Sequence, residues 1–366
     1  MSKVAILGIG LIGGSLALCI KERTDWVVSG YDTSEESLAL ATSAGMIDRG
    51  YTHLAEAIAD ADILVLAVPV NAAKELLNQV AMLPLKEGCI ITDVGSTKGE
   101  IVAHARELKG LPATFIGGHP MAGSHHSGVQ ASHSLLFENA YYVLTPLPNT
   151  PLADVERLSR LLTIATRAKL VMMDPRYHDE VVGAISHLPH IIASGLVNQI
   201  SRYNEQNEWY YRLAAGGFRD LTRIAAAHPI MWRDILLSNR EAILPLMDDW
   251  IAEMSNARKA ILDADADQIE SFFTRAKISR EGLPERVQGV LQSSYECYVD
   301  VPDSPGMIAG VAQLLADEKI NLQNIGVMEN REDRAGVLRL VFGDSDQQQR
   351  ARDVLKRKKF RVFDLD

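Results

Sequence analysis

His119, set in Gly117-Gly118-His119-Pro120-Met121-Ala122-Gly123, is the residue of this chain best suited to accept a proton. An unperturbed imidazole titrates near pH 6.5, so it is largely neutral and basic at pH 7. Pro120 is expected to stop the pairing of the strand that delivers His119, and Gly117, Gly118 and Gly123 to leave space beside the ring. Further along, Ser186-His187-Leu188-Pro189-His190 places two imidazoles three apart within a helical pattern. Pro189 cannot donate to the carbonyl of Ile185, so this helix should kink or be irregular. Asp179 lies two turns back, toward the same face. A third group sits in Gly216-Gly217-Phe218-Arg219-Asp220-Leu221-Thr222-Arg223, read as a loop entering a helix. Arg223 is followed by Ile224-Ala225-Ala226, so its guanidinium should emerge half-buried and seek a planar anion, with Asp220 as the nearest internal candidate. A base, paired imidazoles and a guanidinium suit proton removal from a small substrate that carries carboxylates.

The start of the chain indicates what that base works beside. A β-branched run at 4–7 leads into Gly8-Ile9-Gly10-Leu11-Ile12-Gly13 and then an apolar-periodic run to Ile20. The three glycines allow a tight turn, close approach of a pyrophosphate and close helix–strand packing. The helix beginning near Leu11 offers free N–H groups and a partial positive charge to phosphates. Asp32 ends a second strand nineteen residues beyond Gly13, where an acceptor for ribose hydroxyls belongs. A carboxylate there repels a 2′-phosphate, and Thr33 and Ser34 bring no arginine, which favours NAD over NADP. Hydride transfer from a carbinol to NAD needs a base near the nicotinamide, and His119 fits that place. Ser96, in Asp93-Val94-Gly95-Ser96-Thr97-Lys98, has two compatible readings. Its hydroxyl can orient the imidazole or the nicotinamide, or it can cap the helix starting at Lys98. His125 and His126 read as loop residues, since no cysteine or carboxylate pattern supports a metal site.

The elements that must position these groups fall into three regions. Residues 1–172 alternate strand candidates (4–7, 27–31, 63–68, 89–92, 114–116, 141–144 and 169–172) with helical patterns such as 71–82 and 98–108. That alternation predicts an α/β, Rossmann-like doubly wound sheet, with the apolar run 63–68 as a central strand. Residues 173–289 carry only helical periodicity, at 179–200, 209–215, 221–226, 230–254 and 266–278. Their helices are apolar all round, which predicts burial against another subunit in a homodimer. Residues 294–366 return to strands in a βαββαβ order, a small α+β module, after a linker at 285–294.

Composition bounds the rest. With 47% hydrophobic and 23% charged residues, 366 residues should form two or three ordinary globular domains. A net charge of -10 argues against a nucleic-acid partner, and the basic stretch from Lys356 to Arg361 reads as a solvated helix end. Cys19, Cys89 and Cys297 lie in separate apolar runs and read as buried thiols of a reducing compartment. A core strand beginning at Val4 is expected to leave no room for a signal sequence, and no apolar stretch is expected to approach the roughly 18 residues of a bilayer span. A cytoplasmic location is expected.

The order of Gly8–Gly13, Asp93–Lys98, Gly118–Gly123, Ser186–His190, Gly216–Ile224 and Pro229-Ile230-Met231-Trp232-Arg233 resembles the prephenate dehydrogenases of tyrosine biosynthesis. The resemblance extends to the C-terminal module, where Asp303-Ser304-Pro305-Gly306 and Asn321-Leu322-Gln323-Asn324-Ile325 look like an ACT regulatory domain. It implies NAD-dependent oxidative decarboxylation of prephenate to 4-hydroxyphenylpyruvate, with His119 as base and Ser96 hydrogen-bonded to His119 and the substrate hydroxyl. It also implies that His190 meets the substrate's side-chain end and that Arg223 binds a carboxylate. Gly216, Asp220, His187, Asp179 and Trp232 then belong to the pocket, and Asp303, Pro305, Gly306, Asn324 and Ile325 to a site for inhibitory L-tyrosine. Arogenate, with an amine in place of the side-chain ketone, is an alternative substrate. Related 3-hydroxyacid dehydrogenases depend on a catalytic lysine and leave His119 and the terminal module unexplained. A non-catalytic nucleotide and amino-acid sensor would not need Ser96, His119 and Arg223 together.

Overall fold

The computed structural model describes residues 2–108, 110–123, 127–283, 295–302, 304–328 and 336–363. The chain divides into two compact units, Met1–Leu283 and Pro284–Asp366.

The first unit is built on eight strands: β1 (Lys3–Leu7), β2 (Val27–Tyr31), β3 (Arg49–Tyr51), β4 (Ile63–Leu66), β5 (Cys89–Asp93), β6 (Ala113–Pro120), β7 (Tyr141–Thr145) and β8 (Lys169–Met172). They lie in the order β3-β2-β1-β4-β5-β6-β7-β8, parallel throughout except for the antiparallel pair β6–β7. Six helices cross over: α1 (Leu11–Arg23), α2 (Glu35–Ser43), α3 (Leu54–Ile58), α4 (Val70–Ala81), α5 (Gly99–Glu107) and α6 (Leu152–Thr166). Alternation along the strands sorts side chains to two cores. Ile63 and Val65 join Leu16, Ile20, Leu158 and Leu162 on one face, while Leu64 and Leu66 join Leu76, Leu77, Ile101 and Val102 on the other. This explains why β4 is apolar without a break. The doubly wound sheet is as the alternation predicts, with β3 as an added edge strand.

β6 changes partners midway. Residues 113–116 pair in parallel with β5, and residues 117–120 pair antiparallel with β7. Pro120 therefore does not stop the strand's pairing: it stands opposite Tyr142, on a stretch whose β5 side has no ladder to lose. Nor do Gly117 and Gly118 make space beside His119. A Cβ added to Gly117 would lie 2.3 Å from Thr145 Oγ1, and one added to Gly118 would lie 2.6 Å from the carbonyl oxygen of Asp93. These two glycines let the diverging strands approach their neighbours; only at Gly123 would a Cβ meet nothing within 4 Å.

The helical part of this unit comprises α7 (Pro175–Val182), α8 (Leu188–Asn204), α9 (Trp209–Arg212), α10 (Gly216–Thr222), α11 (Pro229–Ser238), α12 (Arg240–Leu262) and α13 (Ala266–Glu281). Between α7 and α8, Gly183–His187 form a π-helical turn, and Pro189 lies in the first turn of α8. The wider turn takes up the hydrogen bond and the space that a proline denies to an α-helix, which is the irregularity the sequence required. Two helical expectations are corrected. Gly216 opens α10 rather than lying in a loop, with Arg223–Ala226 following as a 3₁₀ turn. The expected helix at 230–254 is broken at Asn239, whose backbone (φ -112°, ψ 22°) is not helical.

The expectation of no bilayer-length apolar stretch is also corrected. Pro175–Asn204 is a run of 30 residues long and apolar enough to cross a membrane by length and composition. No uninterrupted apolar string marks this run in the sequence; its small and neutral polar residues leave the average hydropathy high. Large apolar side chains stand exposed across the helical part of this unit, among them Leu262 at 70%, Phe273 at 66% and Leu237 at 60%.

The second unit is the expected α+β module: β9 (Tyr295–Val301), α14 (Met307–Asp317), β10 (Leu322–Met328), β11 (Gly336–Phe342), α15 (Ser345–Arg357) and β12 (Arg361–Phe363). Its antiparallel sheet has the order β10-β11-β9-β12. Cys297, Val299, Leu338 and Leu340 from the strands pack on Val311, Leu315, Val354 and Leu355 from the helices. Gly306 caps α14 with φ +91°, a conformation that other residues rarely adopt. The linker 285–294 and Asp303 lie outside the described residues.

Candidate active site

Four strand ends, those of β1, β2, β5 and β6, carry the candidate site where open α/β sheets bind ligands, beyond the carboxyl edge. At the end of β1, Gly8 adopts φ +105°, and a Cβ there would fall 2.5 Å from the carbonyl oxygen of Ala67. Space is open in front of Gly10, which caps α1 without a side chain. The first-turn N–H groups of Leu11, Ile12 and Gly13 have no partner within that helix. Asp32, at the end of β2, accepts the N–H groups of Ile9 (2.8 Å) and Ser34 (2.9 Å), so its carboxylate is pinned at the rim of the glycine turn. An open cradle, a positive helix end and a fixed carboxylate fit a dinucleotide.

At the end of β5, the Asp93 carboxylate accepts N–H groups from Gly95 (2.9 Å) and from Gly118 of β6 (3.0 Å) and pairs with the ammonium of Lys98. Both side chains of the pair are buried. Burial pushes the Lys98 ammonium below its ordinary pKa, against the pull of Asp93. The helix after this loop begins at Gly99, and Ser96 does not cap it. Asp179, reaching over from α7, takes the N–H groups of Lys98 and Gly99 at 2.7 Å each. Ser96 is half-buried, and its hydroxyl makes no hydrogen bond among the described residues.

His119, near the end of β6, is half-buried. Its Nδ1 lies 2.8 Å from Nε2 of His178, the two rings meeting edge to face. Nδ1 of His178 in turn lies 2.8 Å from Oδ1 of Asp179. The bond between Ser96 and His119 implied by the resemblance is therefore not formed here: the partner of His119 is His178, and its Nε2 makes no hydrogen bond among the described residues. Burial holds the His119 imidazole well below its usual pKa, helped by His178, Lys98 and His187. His178 was missed in the sequence, although a signal was present. Pro175, His178, Asp179 and Val182 are the buried positions of α7, an i, i+3, i+4, i+7 pattern with two polar residues in it.

The π turn and the break at Asn239 bring a second set alongside. Asn239 donates to the carbonyl of Asp179 (2.8 Å) and lies 3.0 Å from Nδ1 of buried His187. Burial pushes the His187 imidazole down to about 4. His190 bonds through Nδ1 to the carbonyl of Ser186 (2.8 Å), and burial lowers its pKa as well. Its ring stacks on Trp232, with centroids 3.8 Å apart, and Trp232 also meets His187 edge-on. The indole Nε1 of Trp232 is buried without a protein partner among the described residues.

Arg223 departs from expectation. It is exposed, and neither an ion pair with Asp220 nor a contact with His119 occurs among the described residues. The 3₁₀ turn Arg223–Ala226 packs on α8, the helix that carries His190, and half-buries Ile224 and Ala225 there, which leaves the guanidinium outward. Gly216 and Asp220 lie on α10, which also packs on α8. His125 and His126 lie outside the described residues.

The family model described as "Prephenate dehydrogenase, nucleotide-binding domain" matches residues 16–172, and "Prephenate dehydrogenase, dimerization domain" matches residues 174–275. The prephenate dehydrogenase of Bacillus subtilis (strain 168) is 41% identical over 365 residues, 99% of this chain and 98% of that protein. That of Lactococcus lactis subsp. cremoris (strain MG1363) is 42% identical over 360 residues, 98% of each chain. The crystal structure of prephenate dehydrogenase from A. aeolicus, in complex with hydroxyphenyl propionate and NAD+, aligns with a TM-score of 0.72 at 32% identity, covering 78% of this chain and 99% of that one. With the glycine turn, the His119 network and both matched domains in one polypeptide, this chain belongs to the prephenate dehydrogenase family.

Proposed function

We propose that His119 is the base in the oxidative decarboxylation of prephenate to 4-hydroxyphenylpyruvate, the step of tyrosine biosynthesis that this NAD-dependent dehydrogenase carries out. The observation that carries the reading is the His119 ring itself: one nitrogen is engaged from behind by His178, and the other makes no hydrogen bond among the described residues. NAD, when bound, supplies the hydride acceptor. His119 Nε2 takes the proton of the ring hydroxyl as that carbon is oxidised. When the ring carboxylate departs as carbon dioxide, its electron pair completes the aromatic ring and the phenolic oxygen needs a proton. An imidazolium of lowered pKa returns one readily, so the proton is lent and given back.

The other assignments belong to the same proposal. Gly8, Gly10, Leu11, Ile12, Gly13 and Asp32 hold the dinucleotide. The hydroxyl of Ser96, which makes no hydrogen bond among the described residues, serves both His119 and the substrate hydroxyl once substrate arrives. His190, stacked on Trp232, meets the side-chain end of the substrate, with His187, Asp220 and Gly216 around it. Arg223 takes a substrate carboxylate, which its exposed guanidinium, without an ion pair among the described residues, supports. Residues 1–172, 173–289 and 294–366 act as cofactor, substrate and regulatory domains, and the exposed apolar faces of the helical part join two copies in a homodimer. L-tyrosine binds the terminal module near Asp303, Pro305, Gly306, Asn324 and Ile325 and inhibits. A cytoplasmic location fits this reading.

The test is absorbance at 340 nm after adding prephenate and NAD, repeated with arogenate and with NADP. NADH formation with prephenate is expected; reduction with arogenate alone would reassign the substrate. Calorimetry with L-tyrosine tests the effector, and the absence of both binding heat and inhibition would remove it.

A further inference from the structure

We propose that His178 and Asp179 fix the tautomer of His119, making His178 a positioning residue for the proton transfer; the inference rests on the reading of His119 as the base. Asp179 sets the direction of every hydrogen bond in this chain of groups. Its Oδ1 accepts the N–H of Lys98 and its Oδ2 the N–H of Gly99, both at 2.7 Å. Backbone N–H groups only donate, so both oxygens are acceptors, and Oδ1 is an acceptor toward Nδ1 of His178 too (2.8 Å). The proton of the His178 ring is thereby committed to Nδ1, and its Nε2 presents a lone pair. Across the 2.8 Å contact to His119, the donor must then be Nδ1–H of His119. A neutral imidazole carries one ring proton, so Nε2 of His119 holds the lone pair that the reaction needs.

The arrangement follows the logic by which a carboxylate holds a catalytic imidazole in one tautomer, with a second ring inserted between the two. That insertion has a structural cause. Asp179 is occupied in capping α5, and His178, the residue before it on α7, spans the distance to β6. The other charged and titratable groups around the pair do not offer Nδ1 of His119 an alternative acceptor: Lys98 is committed to Asp93, and His187 to Asn239. Without His178, Nδ1 would have no acceptor among the described residues, and the proton would be free to sit on Nε2, where it blocks the base.

The experiment is ¹⁵N-resolved NMR of the histidine rings in the intact protein, read beside steady-state kinetics. In the wild type, His119 is expected to show a protonated Nδ1 and a bare Nε2. In His178→Phe, Nε2–H should appear, and kcat should fall at least about tenfold, a partner that orients an imidazole contributing about 10–100-fold at metal sites and about 10⁴-fold behind a catalytic one. KM for NAD should stay unchanged. His178→Gln, whose side-chain oxygen can accept from Nδ1–H, should bring kcat back to within about fivefold of wild type. A wild-type His119 protonated on Nε2, or a folded His178→Phe protein with undiminished kcat, overturns the proposal. A wild type with the expected tautomer but no turnover of prephenate leaves the tautomer lock standing and sinks the functional reading instead.

Discussion

Lys98 and Asp93 form an ion pair with no access to solvent, one side chain 0% and the other 1% exposed. The pair is more than a weld. Asp93 also receives Gly95 from its own loop and Gly118 from β6, while the backbone of Lys98 is held by Asp179 of α7. One salt bridge therefore ties the loop of Ser96, the strand of His119 and the first helix of the helical part. Removing one partner leaves a buried charge uncompensated, which costs about 3–5 kcal/mol. Lys98→Met should lower the urea midpoint accordingly. A loss under about 1 kcal/mol would mean that water reaches Asp93.

His119→Asn removes the only lone pair assigned to proton transfer. Its kcat with prephenate should drop about 10²–10⁴-fold. Binding of NAD, read by fluorescence titration, should hardly change, because Asp32 and the glycine turn sit elsewhere on the sheet edge. A rate within a few-fold of wild type would remove His119 from the role of base.

The buried imidazoles also set a pH dependence of stability. The His187 ring has a pKa of about 4 in the fold, against about 6.5 in an unfolded chain. Below pH 6.5 the unfolded chain takes up a proton that the native one refuses. This contribution is therefore whole above about pH 6.5 and is lost as pH falls toward 4. It amounts to something on the order of 3 kcal/mol. His119, lowered for the same first cause, adds to the loss in the same direction. Urea midpoints should fall steadily from pH 7 to pH 5, before most carboxylates titrate. A flat profile over that range would show that these rings are better hydrated than their burial implies. The acid limb of kcat/KM should likewise lie below pH 6.5.

Much of this was legible in the sequence because local pattern and global fold agree there. Unbroken apolarity at 63–66 gives a strand buried on both faces, and glycines 8, 10 and 13 give the cofactor turn. Pro189 forces a defect, though only the fold shows that it is a π turn. What escaped was tertiary. Three residues at the sheet edge, Arg49-Gly50-Tyr51, pair as β3 without an apolar run to announce them. Asp179 caps a helix 80 positions away, so spacing favoured Ser96 for that task. Arg223 looked half-buried from its neighbours, but a 3₁₀ turn has a different face from an α-helix, and the guanidinium turns outward.

That outward guanidinium is the basis of the last prediction. An arginine with no ion pair among the described residues, on a turn packed against the His190 helix, has its donors free for a planar anion. Prephenate brings two carboxylates. Arg223→Ala should raise KM for prephenate about tenfold to a hundredfold, the worth of a hydrogen bond to a charged group. KM for NAD and the unfolding midpoint should hold, since this side chain makes no hydrogen bond or ion pair among the described residues. Arg223→Lys keeps the charge but loses the two-pronged donor geometry, so it should recover only part of the loss. If alanine raised both KM values together, the side chain would be supporting the fold or the cofactor, and the carboxylate would have to be sought at another residue.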